Sequence, residues 1–67
     1  MVVYVKKAER SVYLADDGYV YRRQFGPRIG RVTKQDNIWI AERIIGWCEF
    51  PSRQQALRWL LEKAEGI

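Results

Sequence analysis

Apolar and polar positions alternate through most of this chain and shift to helical spacing only near its end. Val2, Val3, Tyr4 and Val5 open a stretch of strand length, and Val12-Tyr13-Leu14 lies at the centre of a second. β-Branched and aromatic residues of this kind suit a pleated, half-buried surface. Asp17-Gly18 then separates Val12-Tyr13-Leu14 from Tyr19-Val20-Tyr21. This predicts a hairpin of residues 11–16 with 19–25, with positive φ at the central turn positions. Gly26-Pro27 ends that strand, because proline has no N–H to give to a ladder. A further strand is expected from Ile29 to about Lys34, then a polar turn at Gln35-Asp36-Asn37. Residues 38–44 read as the longest and most apolar strand and the candidate for the middle of the sheet. Ile45-Gly46 admits a turn or a bulge. The turn is preferred, since strands rarely run past about ten residues, and Trp47-Cys48-Glu49-Phe50 continues beyond it.

The helix is announced by Pro51-Ser52. Proline stops the strand, Ser52 is placed to accept from the N–H of Gln55, and the Gln55 side chain returns to the cap as a capping box. Leu57, Leu60, Leu61 and Ala64 recur at helical spacing, with Ala56 widening the stripe. That face is expected on the sheet, leaving Arg53, Arg58, Glu62 and Lys63 in water. Gly66 supplies a left-handed stop. No repeat, linker or low-complexity segment interrupts the pattern. The expected fold is therefore α+β, a single domain over residues 1–67. It is an antiparallel β-meander of four or five strands packed against one C-terminal helix.

Composition narrows the chemistry. A chain of 67 residues buries only roughly 60% of the surface its unfolded form exposes, so three Trp, four Tyr and two Phe must form core or interface. Cys48 is the only cysteine and there is no histidine. An intrachain disulfide and the usual zinc sites therefore lack their ligands, and Cys48 is expected as a small buried hydrophobe. The commonest general base is missing, a turn already explains Asp16 and Asp17, and Gly26-Pro27-Arg28-Ile29-Gly30 is a turn rather than a phosphate loop. No enzymatic activity, metal or cofactor is expected. Charge begins at Lys6, and no apolar run nears the ~20 residues that span a bilayer. A soluble, cytoplasmic protein without a membrane partner is the expectation.

Charge is distributed unevenly. The net value is +4, yet residues 18–35 carry Arg22, Arg23, Arg28, Arg31 and Lys34 without one Asp or Glu. Such residues can be ordinary solvated positions that blunt a sheet edge, or they can address an anionic partner. Period-two alternation sets Ile38, Ile40 and Ile44 on one side and Trp39, Ala41 and Arg43 on the other. If the helix takes the isoleucines, and Cys48 and Phe50 pack beneath it, then Trp47 and Glu49 join Trp39 and Arg43 on the open face. Arg31 and one of Arg22 or Arg23 would complete it. Guanidinium forks match phosphates and guanine edges, and rings stack on bases or pack against sugars. Alternatively, an early hairpin carrying Val3, Val5, Tyr13 and Leu14 folds over that face and makes Trp39 and Trp47 core. A third reading makes the aromatics a protein interface.

From about residue 29 to 64 the order of elements resembles the three-stranded-sheet-plus-helix DNA-binding domains of plant ethylene-response factors and the arm-binding amino-terminal domains of phage integrases. The order runs strand, strand with Trp39-Ile40-Ala41, glycine, strand ending at Phe50, then Ser52 and Ala56 on a helix. Phe50-Pro51-Ser52-Arg53-Gln54-Gln55-Ala56-Leu57-Arg58-Trp59 is the part most similar to the integrase pattern. The resemblance covers roughly half the chain, leaves the first 25 residues without a counterpart, and suggests a phage or mobile-element setting. It implies that the sheet face opposite the helix enters the major groove, with Arg31, Trp39, Arg43 and Trp47 making contacts. Two expectations follow. One is binding of double-stranded DNA through the Arg and Trp face, with Arg22, Arg23, Arg28 and Lys34 on phosphates. The other is a protein-interaction module, of the small phage-inhibitor kind or a homodimer-forming accessory protein, with no nucleic-acid contact.

Overall fold

The computed structural model describes residues 1–65. Six strands precede one helix: β1 (Val2–Val5), β2 (Arg10–Leu14), β3 (Tyr19–Tyr21), β4 (Arg28–Gln35), β5 (Ile38–Arg43), β6 (Gly46–Phe50) and α1 (Arg53–Glu65). Each strand pairs antiparallel with the next, giving one sheet in sequence order. The class is α+β with an antiparallel meander and a C-terminal helix, as expected, but with six strands instead of four or five. The longest strand is β4, with 8 residues against 6 in β5. The middle of the sheet is β3 and β4, and β5 sits second from an edge. The apolar run that suggested otherwise includes Ile44, which belongs to a turn.

The β2–β3 hairpin forms where Asp17-Gly18 indicated, by different turn chemistry. The Gly18 N–H donates to the Ala15 carbonyl (3.0 Å) and the Ala15 N–H to the Tyr19 carbonyl (2.9 Å). Positive φ falls on Gly18 alone within this loop (93°). This is a three-residue loop closed by a glycine bulge, not a two-residue turn with positive φ at both centres. A side chain at Gly18 would also meet the Val32 carbonyl oxygen at 2.8 Å.

Inward residues from the first five strands, Val3, Val5, Val12, Val20, Val32 and Ala41, close on Ala56, Leu57, Leu60 and Leu61 of α1. The helix approaches most closely at Gly30, where a Cβ would stand 2.6 Å from Leu60 Cδ2 and 2.7 Å from the Glu42 carbonyl oxygen. Phe50 and Trp59 extend the core, ring centroids 6.0 Å apart, so Trp59 edges the helix–sheet contact as expected. The sheet curls until β1 also reaches α1. There the Gln54 side-chain amide donates to the Tyr4 carbonyl and accepts from the Lys6 N–H, each at 2.8 Å. One glutamine thus satisfies two backbone groups of an edge strand that would otherwise face water unpaired.

At the helix start the Gln55 N–H donates to Ser52 Oγ (3.3 Å). The Ser52 hydroxyl in turn donates to Gln55 Oε1 (3.2 Å), a contact between side chains distinct from the bond to the cap's backbone N–H that defines a capping box. Glu62 and Lys63 are exposed, but Arg53 and Arg58 are half-buried rather than free in water. The expected stop at Gly66 lies outside the described residues. Ser52→Ala should lower stability by about 1 kcal/mol in urea denaturation; an unchanged midpoint would mean that the hydroxyl does not hold the helix end.

Candidate nucleic-acid interface

Register decides which side chains share a face. Ala41 is fully buried beneath α1, so Trp39, two residues away, takes the same side. The pairing of Trp39 with Phe50, whose ring touches Trp59, confirms this. The expected assignment is thereby reversed. Ile38 and Ile40 face outward, whereas Trp39, Ala41 and Arg43 lie on the helix side. The physical reason is the close approach of α1, which needs small residues such as Gly30 and Ala41 beneath it. Trp47 is opposite Glu42 on the outer face and is 63% exposed. The two indoles therefore lie on opposite sides of the sheet, and the joint face of Trp39, Arg43, Trp47 and Arg31 is not formed. The early hairpin does not cover the outer face either, since β1 and β2 extend the sheet. Cys48 shares the register side of Ala41 yet is exposed, not a buried hydrophobe, because β6 runs out at the edge of the sheet.

The meander instead gathers arginines by their position along the strands. In an up-and-down sheet alternate connections return to the same end, so the β3–β4 loop lies beside the β5–β6 turn. Between them is a cavity of about 700 Å³ lined by Arg22, Arg28, Arg31 and Arg43, with Ile44 and Ile45 at its rim. Glu42 is the one acidic side chain among its described lining residues. Tyr19 sets two of the cations in place: Arg28 Cζ is 4.5 Å and Arg31 Cζ 5.3 Å from its ring centroid. A ring face attracts the guanidinium without consuming its N–H donors, so both forks stay available to oxygen acceptors.

Of the eight residues singled out from sequence, four meet in this groove. Arg23 is exposed in the adjacent loop but does not line it. Trp47 flanks it on the outer face, directly across from Glu42. Lys34 and Trp39 are elsewhere: they pair across β4 and β5 one residue before the Asp36-Asn37 turn, with the ammonium 5.6 Å from the indole centroid. That opposite end also carries Asp16 and Asp17 in the β2–β3 loop. The molecule is thus polarised along its strands, with arginines at one end and aspartates at the other.

Sequence reasoning missed Tyr19 as the support for Arg28 and Arg31, and it placed Ile44 in a strand and Ile45 in a turn without marking them as an exposed tip. The signal for the isoleucines was their presence in a turn, where Gly, Asn and Asp are usual. The outer face also holds a tilted Tyr13–Tyr21 pair at 6.4 Å. On β1 the Tyr4 hydroxyl donates to Glu9 Oε2 (2.9 Å), and this bond to a carboxylate raises the Tyr4 pKa above the ordinary value of 10.0. Among the described residues no group of three His, Cys, Asp or Glu side chains is placed to hold a metal ion. Among the described residues no helix is long and apolar enough to cross a membrane. Compared with known proteins, the chain matches no family model, no curated protein and no solved structure.

Proposed function

We propose that this protein binds double-stranded nucleic acid, DNA in the first instance, through the groove lined by Arg22, Arg28, Arg31 and Arg43. The observation that carries this reading is that four arginines line one concavity while Asp16, Asp17 and Asp36 occupy the far end. Such a dipolar layout orients the basic end toward phosphates during encounter and turns the acidic end away. Guanidinium forks pair bidentately with phosphate oxygens, and Tyr19 restricts two of them before any ligand arrives. Arg23 and Trp47 border the groove and extend the contact surface, while Lys34 and Trp39 have no part in it.

The position of the groove gives the test. In fluorescence anisotropy with a short labelled duplex, Arg31→Ala should weaken binding roughly fivefold, the equivalent of about 1 kcal/mol. Lys34→Ala, at the opposite end, should leave affinity within about twofold. Equal losses in both variants would put the contacts somewhere other than this groove.

A second reading, a protein-interaction module that self-associates, is favoured by β6. This edge strand exposes Trp47 on one side and Cys48 on the other. Sedimentation should then show a dimer that Trp47→Lys converts to monomer; a monomeric parent at high concentration would remove the homodimer.

A further inference from the structure

The β5–β6 connection carries apolar residues where polar ones are usual. Arg43 pairs with Gly46, which leaves Ile44 and Ile45 as a two-residue hairpin loop. Such loops favour Gly, Asn or Asp because backbone twist asks for positive φ, yet neither isoleucine takes positive φ. Both project into solvent, with relative exposures of 104% and 84%. β-Branched apolar residues gain nothing from such a position in water and nothing from the turn. Two adjacent large apolar side chains left in water at one tip point to a role in contact with a partner. The tip is continuous with the arginine groove, since Ile44 and Ile45 share its lining with Arg22, Arg28, Arg31 and Arg43. On the neighbouring loop Phe25 is also exposed, with φ of 64°.

We infer that Ile44 and Ile45 form a wedge that enters the minor groove of a bound duplex and partly unstacks one base step, while the groove arginines hold the flanking phosphates. This inference rests on the duplex-binding reading above. Apolar side chains that separate base steps work in this way: they exchange lost stacking for burial and kink the duplex toward its major groove. A hairpin tip of two residues is narrow enough for a minor groove about 6 Å wide. An anionic bilayer would also accept isoleucines beside arginines. The lining of one concavity by Arg22, Arg28, Arg31 and Arg43 favours instead a ridge of sugar and phosphate seated in it.

The experiment uses the full chain and short duplexes carrying 2-aminopurine at successive steps, with anisotropy of a labelled duplex reporting binding independently. The parent protein should raise 2-aminopurine fluorescence about twofold or more as a step unstacks. Ile44→Ser/Ile45→Ser should still bind, with the same salt dependence, but lose the fluorescence rise. Both substituted positions are exposed, so circular dichroism and thermal melting should match the parent and exclude misfolding. Duplex binding by the parent with no fluorescence rise would overturn the wedge and leave the binding reading intact. An equal rise with the double variant would do the same. Absence of duplex binding by the parent would overturn both. Parent binding to phosphatidylserine vesicles, lost in the double variant and without any unstacking of the duplex, would overturn the wedge in favour of a lipid surface.

Discussion

Leu57→Ala should leave the protein largely unfolded at room temperature. Leu57 is fully buried and, with Leu60, is among the largest side chains with no solvent exposure. Truncating a buried leucine removes its transfer free energy and leaves a cavity, at a cost of about 2–5 kcal/mol. A single core in a chain of this length rarely supplies more than about 3–5 kcal/mol in total, and Cys48 has no cysteine partner in the chain to form a cross-link. The two ranges overlap, so one substitution removes most or all of the margin. Urea titration followed by tryptophan fluorescence and far-ultraviolet circular dichroism should show no folded baseline for Leu57→Ala. Leu57→Met, which conserves volume, should lose less than about 1.5 kcal/mol. A well-folded alanine variant with only a small midpoint shift would mean that α1 does not close the core.

The second large effect is on binding. Arg28→Gln/Arg31→Gln removes the two cations that Tyr19 holds, and the duplex affinity should fall roughly 30-fold, about 1 kcal/mol for each lost phosphate contact. The salt dependence should change with it, the log-log slope becoming shallower by about two. Both arginines are exposed, so their exchange for a neutral side chain should move stability by only about 0.5 kcal/mol. A drop in affinity with an unchanged slope would mean that these residues act on something other than phosphates.

The elements that were legible from sequence are those with local signals. Ser52 and Gln55 marked the helix start, Leu57, Leu60 and Leu61 its buried face, and Asp17-Gly18 the hairpin, because caps, helical spacing and turn glycines act over a few residues. The side of β5 that meets the helix was not legible. Alternation separates Ile38 and Ile40 from Trp39 and Ala41 but does not say which set is covered. Hydrophobicity favoured the isoleucines, whereas the outcome turned on the room α1 needs at Gly30 and Ala41, a tertiary demand. The strand at Tyr19 was legible from the hairpin signal, but its extent was not, since it stops at Tyr21 instead of running to residue 25. The arginine groove was half legible. The basic window was plain, but its convergence depends on alternate turns of the meander sharing one end, which also separates Lys34 from Arg22, Arg28 and Arg31. Ile44 reads as a strand residue and Ile45 as part of a turn with Gly46, and their exposure shows only once the register pairs Arg43 with Gly46.

The most direct measurement is the affinity of the unmodified protein for a short duplex at several salt concentrations between about 50 and 200 mM. Engagement of four phosphates by Arg22, Arg28, Arg31 and Arg43 predicts a straight log-log plot with a slope of about −3 to −4. A slope indistinguishable from zero, or no measurable affinity at the lowest salt, would contradict the assignment of this groove to nucleic acid.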